Sequence, residues 1–248
     1  MPSALPNAIV VGAMKCATTA MHRYLDAHPQ ISMSRLKEVN FFIGPDTAPH
    51  DDPETWWRSG NWHRGVDWYA GLFDAAAPVR GETSPGYTSP DAPEAPARMA
   101  ALIPSARLVY LVRHPVERAV SQYRHHQRDG TERRPLEEAL LDPDSQYLAR
   151  SRYHERLVPY LERFPVEQIL VVVQERLLRD RGGQMGAVYR HLGVDPDWRG
   201  DVLAQEFHVG GDPLGIPPRL CDSFMDRVGD DVSRLRDLLQ DDLPEWSA

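Results

Sequence analysis

Four short apolar runs, Ala8–Val11, Val79–Glu82, Arg107–Val112 and Ile169–Val173, alternate with stretches of helical periodicity. Runs this short read as buried strands, and strands that alternate with helices predict an α/β fold: a central, mainly parallel sheet flanked by helices on both faces. With 248 residues, 42% of them hydrophobic, the chain can bury one sizeable core, so residues 1–248 read as a single domain. Thr18–Pro29 puts Ala20, Tyr24 and Ala27 on one side and stops at a proline. His114–Gly130 begins with Pro115 in its first turn, where the missing N–H is harmless, and ends at a glycine. A third helix is expected over Tyr147–Pro165, with Pro159 as a candidate kink. Residues 44–66, dense in Pro, Gly, Asp and Trp, and residues 199–218, ending in GGDPLGIPP, read as long surface loops of the kind that carry function.

The formal net charge of -8 excludes a general nucleic-acid binder, which needs a basic surface. Any anion site must therefore be local. The opening stretch MPSALPNAIVVGAM has no basic leader, and no apolar run approaches the roughly 20 residues of a membrane helix. A cytoplasmic protein without membrane insertion is expected. Cys16 and Cys221 lack metal-ligand spacing, so both are expected to be free thiols. Of the 28 basic side chains only Lys15 and Lys37 are lysines, against an arginine-rich background of the sort a GC-rich genome produces. A lysine kept beside a glycine turn marks a place where a compact point charge serves better than a planar fork.

That turn is VVGAMKCATTAMHRYL, residues Val10–Leu25. A strand feeding a helix through a glycine turn aims backbone N–H groups and the positive end of the helix dipole at one point, which suits an anion. Lys15 adds a mobile charge, and Thr18 and Thr19 add hydroxyls. The arrangement is P-loop-like, yet the lysine comes early and the second glycine of G-x-x-x-x-G-K-[ST] is missing. Two readings stand for this stretch alone: an anion site, or an ordinary turn whose threonines cap the helix.

A second turn of the same kind follows. LVYLVRHPVERAVSQYRHH places Arg113 just past a strand, Pro115 at a helix start, and Arg118 and Ser121 three apart on one helix face. Guanidinium, hydroxyl and backbone N–H converging on a helix start would hold a phosphate well.

With these motifs in order, the chain resembles the sulfotransferases that use 3′-phosphoadenosine 5′-phosphosulfate (PAPS), in the branch similar to the domains that modify heparan sulfate. VVGAMKCATTAMHRYLDAHP is similar to that branch's 5′-phosphosulfate loop, RLKEVNFF to its E-x-x-F-F segment and VYLVRHPVERAVSQY to its 3′-phosphate segment. GVDWYAGLF, GETSPGYTSP and SRYHERLVPYLERFPVEQILVV support the match, which runs from about residue 8 to about residue 180. The resemblance implies roles by position. Lys15 would steady the leaving 5′-phosphate, with the amides of Cys16 and Ala17 and the side chains of Thr18 and Thr19 holding the rest. Arg113 and Ser121 would bind the 3′-phosphate, Glu38 would be the general base, and the product would be 3′-phosphoadenosine 5′-phosphate (PAP). His125, four residues after Ser121, is a second catalytic candidate, because a histidine at the matching place lies near the acceptor in some members. Tyr153, in the segment SRY, matches a tyrosine near the nucleotide, with a core tyrosine as the competing reading. No metal is expected, since fixed donors can serve the leaving phosphate.

On the acceptor side the candidates are Lys37, Trp57 and Trp62. Trp56, Trp57, Trp62 and Trp68 crowd one segment, which suits a stacking wall or a patch for a carrier or partner protein; Trp68 reads instead as an anchor to the core. Thr83 stands where the branch often has a lysine, and FHVGGDPLGIPPRL has no basic residue before Arg219. With the acidic balance, these departures argue against a polyanionic acceptor and for a smaller or neutral molecule or glycoconjugate, sulfated on a hydroxyl or, second, an amine. Two alternatives remain: a metabolite kinase using ATP and magnesium, with Glu82 as its metal carboxylate, and a nucleotide-binding scaffold without turnover.

Overall fold

The computed structural model describes residues 5–46, 60–205, 207 and 215–246. Strands are β1 (Ala8–Gly12), β2 (Ile31–Met33), β3 (Val79–Thr83), β4 (Arg107–Val112) and β5 (Ile169–Val173). Helices are α1 (Thr18–Asp26), α2 (Gly65–Ala70), α3 (Ala95–Leu102), α4 (Pro115–Arg128), α5 (Leu136–Leu141), α6 (Gln146–Ala149), α7 (Tyr153–Leu161), α8 (Gln174–Arg179), α9 (Arg181–Leu192) and α10 (Pro218–Leu239). The sheet is parallel throughout, in the order β2-β3-β1-β4-β5. Every residue of β1 is buried, as are Leu108–Val112 of β4. Burial on both faces is what turned these strands into continuous apolar runs.

The four expected strands form within one residue of their expected ends. β2 is additional: its three residues, with half-buried Ser32 between Ile31 and Met33, pair only with β3 at the sheet edge. From β1 the chain moves out to β2 and back through β3 on one side, then crosses to β4 and β5 on the other. The β1 and β4 ends thus meet at a topological switch point, where the carboxyl ends of neighbouring strands open a crevice.

The helix expected over 147–165 is two helices. Ser145 caps α6, accepting from the Leu148 N–H at 3.3 Å. The Ser151 hydroxyl then lies 2.9 Å from the Tyr147 carbonyl and 2.9 Å from Arg118 Nε, and α7 starts afresh at Tyr153. A serine that bonds the local backbone competes with the helical ladder. Pro159 lies inside α7, which runs on to Leu161.

Of the loop expected at 44–66, residues 47–59 with Trp57 lie outside the described residues, and Gly65 and Val66 already belong to α2. The loop's two ends touch: a β-carbon on Gly60 would lie 2.0 Å from the Ile43 carbonyl oxygen. In 199–218, Asp201–Ala204 form a 3₁₀ turn, while residues 206 and 208–214 are outside the described set. α10 is additional to the elements expected from the sequence, although its buried Leu220, Phe224, Val228, Val232 and Leu235 follow the helical period.

Candidate active site

Gly12 closes β1 because nothing larger fits; a β-carbon there would lie 2.2 Å from the Thr88 hydroxyl. The chain then turns with Lys15 (φ 70°) and Ala17 (φ 61°) in the left-handed region. Such reversals turn successive N–H groups to one side and form an anion-binding concavity. The Ala13 N–H donates to the Leu111 carbonyl (2.7 Å) and that of Cys16 to Ala13 (3.2 Å). The N–H groups of Lys15, Ala17, Thr18 and Thr19 find no acceptor among the described residues. Left-handed Ala17 is the N-cap of α1, with no side-chain cap, so the reading of the threonines as caps is corrected. The Cys16 amide is likewise spent inside the turn. Its side chain is fully buried, and burial pushes the thiol up to about 11.

At the second turn Arg113 pairs with Glu117 (Nη2 to Oε2 2.8 Å), and Ser121 is half-buried without a partner among the described residues. Arg118 does not share their surface. It is fully buried, donating from Nε to Ser151 Oγ (2.9 Å), from Nη1 to Gln122 Oε1 (2.7 Å) and from Nη2 to the Tyr147 carbonyl (2.6 Å). Arg118 therefore locks α4 to the α6–α7 joint.

Tyr153 also differs from its expected role of touching a nucleotide. Its ring is fully buried and its hydroxyl donates to the Arg113 carbonyl (2.7 Å), 3.7 Å from Cys16 Sγ. It ties one turn to the other from beneath. Behind it stands Trp246, ring centroids 5.8 Å apart, whose indole N–H reaches Glu175 (3.4 Å) while Glu175 accepts from the His114 N–H (2.8 Å).

Lys15, Glu38 and His125, far apart in sequence, come into one electrostatic neighbourhood. Burial, then the charges of Arg128 and Arg113, hold the Lys15 ammonium below its ordinary range, opposed by Asp129 and Glu38. His125 is likewise lowered by burial and Lys15, with Asp129 and Glu38 opposing; its Nε2 lies 3.4 Å from Asp129. Arg128, on the last turn of α4, was not singled out from sequence, because helical periodicity does not reveal what faces a helix end.

Glu38 is half-exposed and meets its neighbour Lys37 at 2.6 Å. Its backbone is left-handed (φ 59°), as is that of Asn40 (φ 49°). Non-glycine residues hold that region only where the surroundings insist. Here the Glu38 N–H donates to the Thr83 carbonyl (3.0 Å), the Asn40 N–H to Ser84 Oγ (3.0 Å) and the Phe41 N–H to the Tyr87 hydroxyl (2.9 Å). Both of those hydroxyls donate onward to buried Glu82: Tyr87 at 2.7 Å, Ser84 at 2.8 Å, with the Tyr69 hydroxyl as a third donor. Burial raises the Glu82 pKa and these bonds oppose it. Its two oxygens are thus committed to protein hydroxyls, which removes the carboxylate a metal-dependent kinase would need. Replacing Glu82 by Gln turns one acceptor into a donor. Unfolding in urea should show a loss of about 1–3 kcal/mol, the cost of a buried polar group left unsatisfied.

Trp62 belongs to packing more than to an open wall: Phe41 lies 5.2 Å away and the Arg98 guanidinium 4.6 Å above its ring. Trp68 anchors as expected, 6.3 Å from Phe41. At Thr83 the buried hydroxyl meets His22 Nδ1 (3.1 Å). Burial lowers His22 from 6.5 to about 4, and His126 to about 4 as well. Unfolding restores ordinary histidines, so the unfolded chain binds more protons between those values. Stability is then expected to fall as pH drops from about 6.5 towards 4, and urea midpoints at pH 7 and pH 5 measure it.

The sequence matches the family described as "Sulfotransferase family" over residues 6–199. It is 28% identical over 216 residues to the human bifunctional heparan sulfate N-deacetylase/N-sulfotransferase 2, covering 77% of this chain and 22% of the relative. It is 29% identical over 204 residues to the mouse heparan sulfate glucosamine 3-O-sulfotransferase 3B1, covering 77% of this chain and 46% of that protein. The chain therefore spans under half the length of these curated relatives. Among solved structures, a sulfotransferase from Alicyclobacillus acidocaldarius superposes with a TM-score of 0.81 at 30% identity, covering 98% of this chain and 99% of the other. Two anion-ready turns on adjacent strands, matched along most of the chain by these relatives, agree on one assignment: the chain belongs to the sulfotransferase family.

Proposed function

We propose that the chain transfers the sulfuryl group of PAPS to a hydroxyl, or second an amine, of a small molecule or glycoconjugate. The paired turns at the ends of β1 and β4, joined through Tyr153, carry this reading. The first offers four amides and Lys15 that the protein leaves unspent; the second offers an unspent Ser121 and an Arg113 held only by the half-exposed Glu117 of its own helix. That donor set fits a nucleotide with anions at both ends. An open groove of about 480 Å³ runs from Thr19 along α1, lined by Arg23, Asp26, Val202, Gln205 and Phe207.

When bound, PAPS supplies the sulfuryl group and a phosphate leaving group. Lys15 and the loop amides stabilise charge gathering on that phosphate. Arg113, released from Glu117, and Ser121 hold the 3′-phosphate. Glu38 takes the acceptor proton, its backbone held by the Thr83, Ser84 and Tyr87 contacts, and Lys37 beside it is the acceptor-binding cation. His125 stands by as a second proton acceptor. Transfer is chiefly positioning and electrostatics, as in phosphoryl transfer.

Thermal stabilisation by PAP, ATP and adenosine 5′-phosphosulfate tests the reading. PAP is expected to stabilise most. Equal stabilisation by the compound lacking a 3′-phosphate would remove Arg113 and Ser121 from the donor site, and a preference for ATP with magnesium would favour a kinase.

A further inference from the structure

Arg150 lies in the joint between α6 and α7, its side chain only 12% exposed. A buried guanidinium is costly unless oxygens receive its N–H groups. Its neighbour Arg118 meets that condition with three oxygens. Arg150 does not. Nη1 points at the Met14 thioether (3.4 Å), a weak acceptor, and Nε is buried with no partner. Nη2 is 3.6 Å from Asp91 Oδ2, an ion pair too long for a hydrogen bond, and that oxygen lies 3.2 Å from the Ser89 hydroxyl, which donates to it. Arg156, Arg181 and Arg236 also leave Nε bare; Arg156 and Arg181 each set a terminal nitrogen on an oxygen, and what sets Arg150 apart from Arg236 is its contact with Met14 of the first turn.

The surroundings concentrate positive charge at this point. Burial, then the like charge of Arg118, holds the Arg150 pKa down to about 10, with Asp91 opposing. It is still a cation at neutral pH. Two links lead towards the candidate site: Met14, which Arg150 touches, immediately precedes Lys15, and His126, which feels the charge of Arg150, adjoins His125, which feels Lys15.

We propose that Arg150 anchors an anion subsite that receives a carboxylate, sulfate or phosphate carried by the acceptor, close to the hydroxyl that is sulfated. The proposal rests on the sulfotransferase reading and narrows it, from a small or neutral acceptor to a small acceptor with one oxyanion. The planar fork suits such a group, which can accept two parallel N–H bonds. A single anchor on a chain of net charge -8 suits one anion and not a polyanion.

Calorimetric titration of PAP-saturated protein with methyl phosphate, sodium sulfate and sodium acetate, against sodium chloride of equal ionic strength, tests this. At least one of the three should bind the parent, about tenfold or more weakly to Arg150→Met, and to an intermediate degree to Arg150→Lys, with PAP affinity equal in all three proteins. Arg150→Met leaves no buried charge stranded, and its thermal unfolding checks that it folds. If parent and Arg150→Met respond alike, or the parent binds none of the anions, the subsite does not exist. If Arg150→Met weakens PAP instead, Arg150 serves the donor and the proposal falls. Should PAP fail to bind the parent, the sulfotransferase reading fails by itself, and the same titration of unliganded parent and variant still decides Arg150.

Discussion

Glu38→Gln is expected to slow sulfuryl transfer by about 10²–10⁴-fold, the usual worth of a positioned general base, while PAP affinity is unchanged. Glutamine keeps the shape and the left-handed turn at Glu38 (φ 59°), with its amide still on the Thr83 carbonyl. What it loses is the capacity to accept a proton. PAP released from PAPS in the presence of acceptor measures the first quantity and calorimetry the second. Activity equal to the parent would sink the base assignment and pass it to His125, whose imidazole feels both Lys15 and Glu38. A loss of PAP binding would instead mean that the change had disturbed the donor site.

Lys15→Met should cost a comparable amount for a different reason. It removes the charge opposite the leaving phosphate, an interaction of the kind worth about 10²–10³-fold in kcat, and it weakens PAP binding too. Lys15→Arg is not expected to rescue it, because a planar fork does not fit where a point charge in a tight left-handed turn is required. The pH profile gives a second readout. A lysine lowered by burial and by Arg128 and Arg113 gives up its proton at lower pH than an ordinary lysine. At PAPS well below saturation, where the free enzyme sets the rate, transfer that depends on the ammonium then declines early on the alkaline side, and the Lys15→Met residual rate is flat there. Bound nucleotide supplies the missing negative charge, so PAP binding at alkaline pH should take up protons, measurable as a heat that depends on the buffer. Absence of both effects would place Lys15 outside the phosphate contact.

Strands buried on both faces were legible in the sequence because the buried environment selects unbroken apolar runs. β2 was not, since an edge strand of three residues with a serine in its middle has no period to detect. The joint at Arg150–Arg152 was missed because a helix-like pattern continues through it; the side chain of Ser151 decides otherwise by bonding locally and by serving Arg118. Around the candidate site, Lys15, Arg113 and Ser121 stand out in local motifs, whereas Glu38 enters through the family resemblance alone. Spacing also put Arg118 beside Ser121, but spacing does not say which of two neighbouring side chains turns inward. Tyr153 and Glu82 act between segments distant in sequence, and no local pattern announces contacts of that kind. Glu82 did stand out as a carboxylate after a strand; its partners changed the meaning from metal ligand to internal brace.

The Tyr153 hydroxyl, set between the Arg113 carbonyl and the Cys16 thiol, makes the two turns behave as the jaws of a caliper with a fixed gap. Under the proposed function, selection among nucleotides would then be made by length as well as by charge. A linear triphosphate crowds its anions into one jaw, and a donor without a 3′-phosphate leaves the other jaw empty. A change such as Tyr153→Phe, which touches neither phosphate, would loosen the gap and blur the distinction between those molecules before it weakened attraction to any of them.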